Sequence, residues 1–251
     1  KSYSEEIQIS EDKKDLLESF LSNGFPTTKD EEWKYTSLKK VIANEYNIEN
    51  KGQVVDDSVI EKYSLGFENQ IIFSDGKLIN TPTIKGVSIS GFSEFESNTN
   101  DSILDLNKSL SQNGFTISVD KNTVVESPIE ILFISTTETN FSQYRNLISI
   151  AENAEVKFVE RIQNLNNSSS FVNNFTRINC DKNTKIEYNK IQNNTSESQL
   201  IDTVNVYQEQ DSTCDINTLL FGGSFTRNNL NFEQNGFNCE SNMNGVSVLA
   251  N

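Results

Sequence analysis

The reading of the fold turns on NLISIAENAEVKFVERIQN (residues 146–164) and its companions TRINCDKNTKIEYNKIQNN (176–194), DTVNVYQEQDSTCDINTLL (202–220) and NNLNFEQNGFNCESNMNG (228–245). Each is an alternating apolar–polar run, a short polar turn and a second alternating run. The turns are Glu152-Asn153, Asp181-Lys182-Asn183, Gln210-Asp211-Ser212 and Gln234-Asn235-Gly236. Ile150, Cys180, Val206 and Phe232 stand as the last apolar positions before them, and Val156, Ile186, Cys214 and Phe237 as the first after them. The unit recurs every ~26–30 residues. Period-2 alternation marks strands with one buried face. A repeat of this length with no helix between its strands predicts a coiled sheet, whose stacked rungs bury a continuous core that no single rung could. An antiparallel β-sandwich of hairpins is the competing arrangement.

Working outward, the preceding part of the chain has another texture. Residues 10–23 predict a helix, with Ser10 as its cap and Leu16, Leu17, Phe20 and Leu21 on one face, stopped by Asn23-Gly24 and Pro26. Thr27 or Thr28 is placed to cap a second short helix, with Trp33, Leu38, Val41 and Ile42 turned inward. Further helices are expected near Asp57–Tyr63 and over residues 101–112. NQIIFSDGKLI reads as a hairpin turning at Asp75-Gly76. The expected organisation is a helical region over 1–65, a mixed α/β transition over 66–114 and β-helix rungs over 115–251.

Composition excludes several kinds of chemistry. The formal net charge of -15 lacks the Lys/Arg footprint that nucleic acid or an anionic membrane surface requires. With no histidine, imidazole bases, Ser-His and Cys-His nucleophile systems and histidine metal sites are absent. Cys180, Cys214 and Cys239 form no CxxC pair, so neither a zinc site nor a disulfide framework is expected. Unpaired cysteines suit a reducing compartment, and a cytoplasmic location is expected. No apolar run approaches the length of a membrane span.

Individual residues read as structural. Cys180 and Cys214 fall on repeat positions held elsewhere by Ile, Val and Phe, which assigns them to the core, and alternation from Phe237 assigns Cys239 there too. Asp181 and Asp211 could share one face after stacking, as an acidic pair in a calcium-assisted polysaccharide lyase would, but solvated turn residues are the simpler reading. Arg145, Arg161, Arg177 and Arg227 share no repeat position and read as surface charges or partners of carboxylates. Gly222-Gly223 feeds a strand, not a helix, and reads as a tight turn rather than a phosphate loop. No catalytic, cofactor-binding or metal residue is assigned, and a non-enzymatic role is expected.

GFPTTKDEEWKYTSL (residues 24–38), with Pro26, Thr27, Glu31 or Glu32, Trp33, Lys34, Tyr35 and Thr36, resembles the N-terminal signature of the SufB/SufD family of scaffold subunits of the SUF iron–sulfur cluster machinery. RNLISIAENAEVKFVER, KIQNN, SQLIDT and FGGSFTRNNLNF resemble the family's rungs in order, and the stretch Arg227-Asn228-Asn229-Leu230 tilts the resemblance to the SufD branch. The resemblance implies a right-handed parallel β-helix with helical terminal regions, a scaffold paired with SufB and the ATPase SufC, and a link to iron acquisition and to cluster assembly or transfer. Any cluster or iron would be held by the assembled complex. It also implies that a His-bearing segment, a Cys-Ser-His-Gly motif and C-terminal helices lie beyond GVSVLAN, so that the chain is C-terminally truncated. An open β edge near Leu249 would be a candidate surface for a homodimer. The readings from other classes are a secreted polysaccharide-active β-helix enzyme and an adhesin-type β-helix protein.

Overall fold

The structure, a computed structural model, describes residues 11–47, 54–95 and 101–248. Its core is a parallel β-solenoid of about five turns. The strands are β1 (Asn69–Ser74), β2 (Lys77–Asn80), β3 (Val87–Gly91), β4 (Phe115–Val119), β5 (Ile129–Ser135), β6 (Phe141–Ile150), β7 (Glu155–Asn164), β8 (Ser170–Cys180), β9 (Lys185–Asn194), β10 (Ser198–Gln208), β11 (Thr213–Gly222), β12 (Phe225–Gln234) and β13 (Glu240–Val248). The helices are α1 (Glu11–Asn23), α2 (Lys39–Ile42), α3 (Asp57–Tyr63) and α4 (Ser102–Leu110).

Two sheets face each other, ordered β13-β11-β9-β7-β5-β1-β2 and β12-β10-β8-β6-β4-β3. The strands either side of each polar turn lie in different sheets, and each pairs in parallel with its counterpart one rung away. The hairpin sandwich is thereby excluded. At the first rung the pattern changes, with β3 antiparallel to β4 and β2 antiparallel to β1. The β1–β2 hairpin turns at Asp75 (φ 44°) and Gly76 (φ 83°), as read. Inward side chains form one apolar core that includes Ile117, Ile131, Ile148, Phe158, Ile178, Ile186, Val204 and Ile216.

The polar turns recur because each needs one residue in the left-handed region, where Asn and Asp are tolerated best after glycine. Asn122, Asn153, Asn183, Asp211 and Asn238 have φ between 56° and 63° and stack along one corner. Their side chains form a ladder. Asn153 Nδ2 donates to Asn122 Oδ1 and Asn183 Nδ2 to Asn153 Oδ1, both at 2.8 Å, and Asn238 Nδ2 donates to Asp211 Oδ1 at 2.9 Å.

The repeat register differs from the sequence reading in the later rungs. Ile150 pairs with Cys180 as expected, but Cys180 pairs with Gln208, not Val206. Gln208 is a fully buried polar residue, so the last inward position before this corner is not an apolar one. After the corner, Cys214 pairs with Ser241, not Phe237, which is 86% exposed. The last corner, residues 235–239, is one residue longer than corner 209–212, and this breaks the alternation.

Among the helices, α1, α3 and α4 form where expected, and Asp101 caps α4 by accepting from Ile103 N–H at 2.8 Å. The proposed cap Ser10 lies outside the described residues, as does Leu249. The expected second helix is instead a 3-10 turn, Glu31–Trp33, followed by α2. Thr27 caps no helix. Its N–H and hydroxyl both donate to Asp30 Oδ2, closing a tight polar turn.

Candidate functional site

The segment around Trp33 is a strap on the outer face of the six-stranded sheet. Trp33, Leu38 and Val41 point inward and pack with Ile103, Phe171 and Ile201. Arg227 of β12 lies over the Trp33 ring, 4.1 Å from its centroid, and donates to Thr36 Oγ1 and to the Glu32 carbonyl, both at 2.8 Å. Tyr46 closes the far side by donating to the Val41 carbonyl at 2.9 Å. The outward side of the strap carries Lys34 and a Tyr35 that is 92% exposed.

The arginines correct the sequence reading. All four stack on aromatic rings. Arg145 is fully buried between Phe95 and Phe175, at 4.5 and 4.8 Å, and donates to the Phe95 carbonyl and to Asn107 of α4. Arg161 lies over Tyr63 of α3 and donates to its carbonyl. Arg177 lies 4.3 Å from the Tyr207 ring centroid. Arg145, Arg161 and Arg227 thus each fasten a covering segment to the rungs. A planar guanidinium can stack and donate at once, which an ammonium cannot. Nothing in the spacing of these arginines signalled their partners, because the partners come from distant segments.

The three cysteines converge on one corner, which the sequence reading missed. Cys180 and Cys214 are buried as expected. Interaction with the neighbouring Cys214 thiol, then burial, holds the Cys180 thiol well above its ordinary pKa. Cys180 is therefore disfavoured as a thiolate, the form a nucleophile or metal ligand needs. Cys239 is not a core residue. It sits half-buried in the longer last corner, 3.3 Å from the Glu209 and Gly236 carbonyls.

The acidic pair is not assembled either. Asp211 takes the left-handed corner position of Asn183, whereas Asp181 follows Cys180 as Glu209 follows Gln208, so the two occupy different ranks. Among the described residues, no group of three or more Cys, Asp or Glu is placed to hold a metal ion. Gly222-Gly223 is a tight turn, as read. A Cβ on Gly222, at φ 72°, would lie 2.3 Å from the Asn194 carbonyl oxygen.

A concentration of charge inside the solenoid had no signal in the sequence beyond polar letters at inward positions. Lys190 of β9 bridges Glu160 of β7, at 3.0 Å, and Asp202 of β10, at 2.8 Å, and all three side chains are only 1% exposed. Tyr188 Oη donates to Glu160 Oε2 at 2.7 Å, Asn174 Nδ2 to Asp202 Oδ1 at 3.0 Å, and Gln192 Nε2 to Asp202 Oδ2 at 2.8 Å. Burial raises the Glu160 pKa against the pull of Lys190. Burial also acts to lower the Lys190 pKa, but Asp202 and Glu160 outweigh it and hold the ammonium charged. Among the described residues, no helix is long and apolar enough to cross a membrane.

Two family models match this chain. Residues 4–67 match the model of the SufBD protein N-terminal region, and residues 133–251 match that of the SUF system FeS cluster assembly, SufBD core domain. The chain is 24% identical over 249 residues to the iron-sulfur cluster assembly protein SufD of Escherichia coli (strain K12). That alignment covers 92% of this chain and 57% of the relative, so the chain spans little more than half of the relative's length. An N-terminal strap followed by stacked rungs is the order of the two matched regions, and the chain belongs to the SufB/SufD family.

Proposed function

We propose that this protein is a non-catalytic scaffold of the SufD type in SUF iron–sulfur cluster assembly. It pairs with SufB and the ATPase SufC in the cytoplasm and supports iron acquisition and cluster assembly or transfer. The observation that carries the reading is the match of both family regions, in order, to a chain whose strap and rungs are fastened together by Arg227 and Trp33. The chemistry of the interior is consistent with a scaffold. The Cys180 thiol is held protonated, and the buried Lys190 ammonium is paired with Glu160 and Asp202. The rungs offer a rigid extended surface, as solenoids do.

Deleting the gene tests this. The expected result is lower activity of cluster-dependent enzymes when iron is scarce, restored by the whole gene in trans. Unchanged cluster-enzyme activity in the deletion strain under iron limitation would refute the reading.

A further inference from the structure

Buried ion pairs add little net stability, because desolvation offsets their attraction. The network around Lys190 therefore calls for another explanation. Inward positions along the rungs repeat with period two. On β7 they are Val156, Phe158, Glu160 and Ile162, on β9 Ile186, Tyr188, Lys190 and Gln192. A slip of two residues between neighbouring strands keeps the apolar face inward, so hydrophobic burial alone does not choose the register.

One corner of each rung is pinned by the stacked left-handed Asn and Asp residues. The opposite corner is not uniform. Its loops are residues 136–140, 165–169, 195–197 and 223–224, so the first two are of equal length and the later two are progressively shorter. The network lies on the strand segments that run toward this variable corner. It links β7, β8, β9 and β10 across both sheets, and Gln192 carries it to Asn228 of β12 at 2.9 Å.

We propose that the Glu160–Lys190–Asp202 network is a register lock. It selects the pairing of the rungs on the side that the variable corner leaves free. In register, Glu160 stands beside Lys190. After a slip of two, Lys190 would stand beside Phe158 or Ile162, and two or more charges would be buried without partners. The lock acts by penalising wrong pairings, not by strengthening the right one.

The test uses cysteine pairs on the outer face, in a Cys239→Ser background, oxidised with diamide and read by mass spectrometry. Val159 and Asn189 are partners in register, whereas Val159 and Ile191 become partners after a slip of two. Only directly adjacent strand positions satisfy disulfide geometry. With the network intact, V159C/N189C cross-links and V159C/I191C does not. In the neutral variant E160Q/K190M/D202N, which keeps an acceptor for Tyr188 and for Asn174 and leaves the Gln192 amide to turn its oxygen toward the new amide donor, the chain stays folded and the V159C/I191C cross-link rises about tenfold. A folded neutral variant that cross-links only in register would overturn the proposal. So would a neutral variant that fails to fold, because the network would then hold the fold together rather than choose its register.

Discussion

Arg227 shows what a single side chain does in this molecule. It stacks on Trp33 and donates to two groups of the strap, so it joins residues almost two hundred positions apart. An Arg227→Lys replacement keeps the charge and loses the planar stack and the fork. The expected cost is about 1–2 kcal/mol, read as a lower urea midpoint with an unchanged slope. Lys190 behaves differently. A Lys190→Met replacement leaves Glu160 and Asp202 buried without their cation, and the expected loss is about 3–5 kcal/mol by the same measurement. The two substitutions share no partner, so their combination should be additive to within about 0.5 kcal/mol.

At the scale of the element, the corner ladder is the feature that makes a rung. It is interrupted once. Asp211 accepts from Asn238 but has no amide to donate to Asn183. Replacing Asp211 by Asn keeps a residue suited to φ 61° and adds the missing donor. The expected gain is about 0.5–1 kcal/mol in chemical unfolding, and a loss of stability would contradict the ladder as a stabilising device. The ladder also explains what was legible. Period-2 alternation and Asn-rich turns gave away the coiled sheet, because each rung must satisfy the same corner geometry. The register of the later rungs was hidden where polar Gln208 replaces an apolar residue and where residues 235–239 lengthen the corner. Helices with an apolar face were readable, but the strap over Trp33 was not. Its conformation is set by Arg227 and by the outer sheet face, which local propensity does not contain. The cysteine corner and the charged network were equally hidden, since both are made by stacking.

At the scale of the whole molecule, several buried groups tie stability to alkaline pH. Burial pushes Tyr144 up from 10.0 to about 12 and Tyr188 well above its ordinary value. Lys190 is also raised. In each case the folded state holds its proton more tightly than the unfolded chain does. For Tyr144 the stabilisation is therefore complete below about pH 10 and is lost as pH rises toward 12. For Tyr144 alone it amounts to roughly 2–3 kcal/mol. The Tyr144→Phe protein should lose correspondingly less stability between pH 9.5 and 12, measured by urea unfolding at each pH. Equal slopes for the two proteins would contradict the assignment.

The molecule is a rigid stack of rungs with its N-terminal strap fastened along one face, and the account's central claim is that it serves as a scaffold. Native mass spectrometry of the protein expressed from its whole gene together with SufB and SufC tests that claim most directly. The predicted result is an assembly containing all three proteins. Recovery of this protein only alone or as a homodimer, with SufB and SufC assembled without it, would contradict the account.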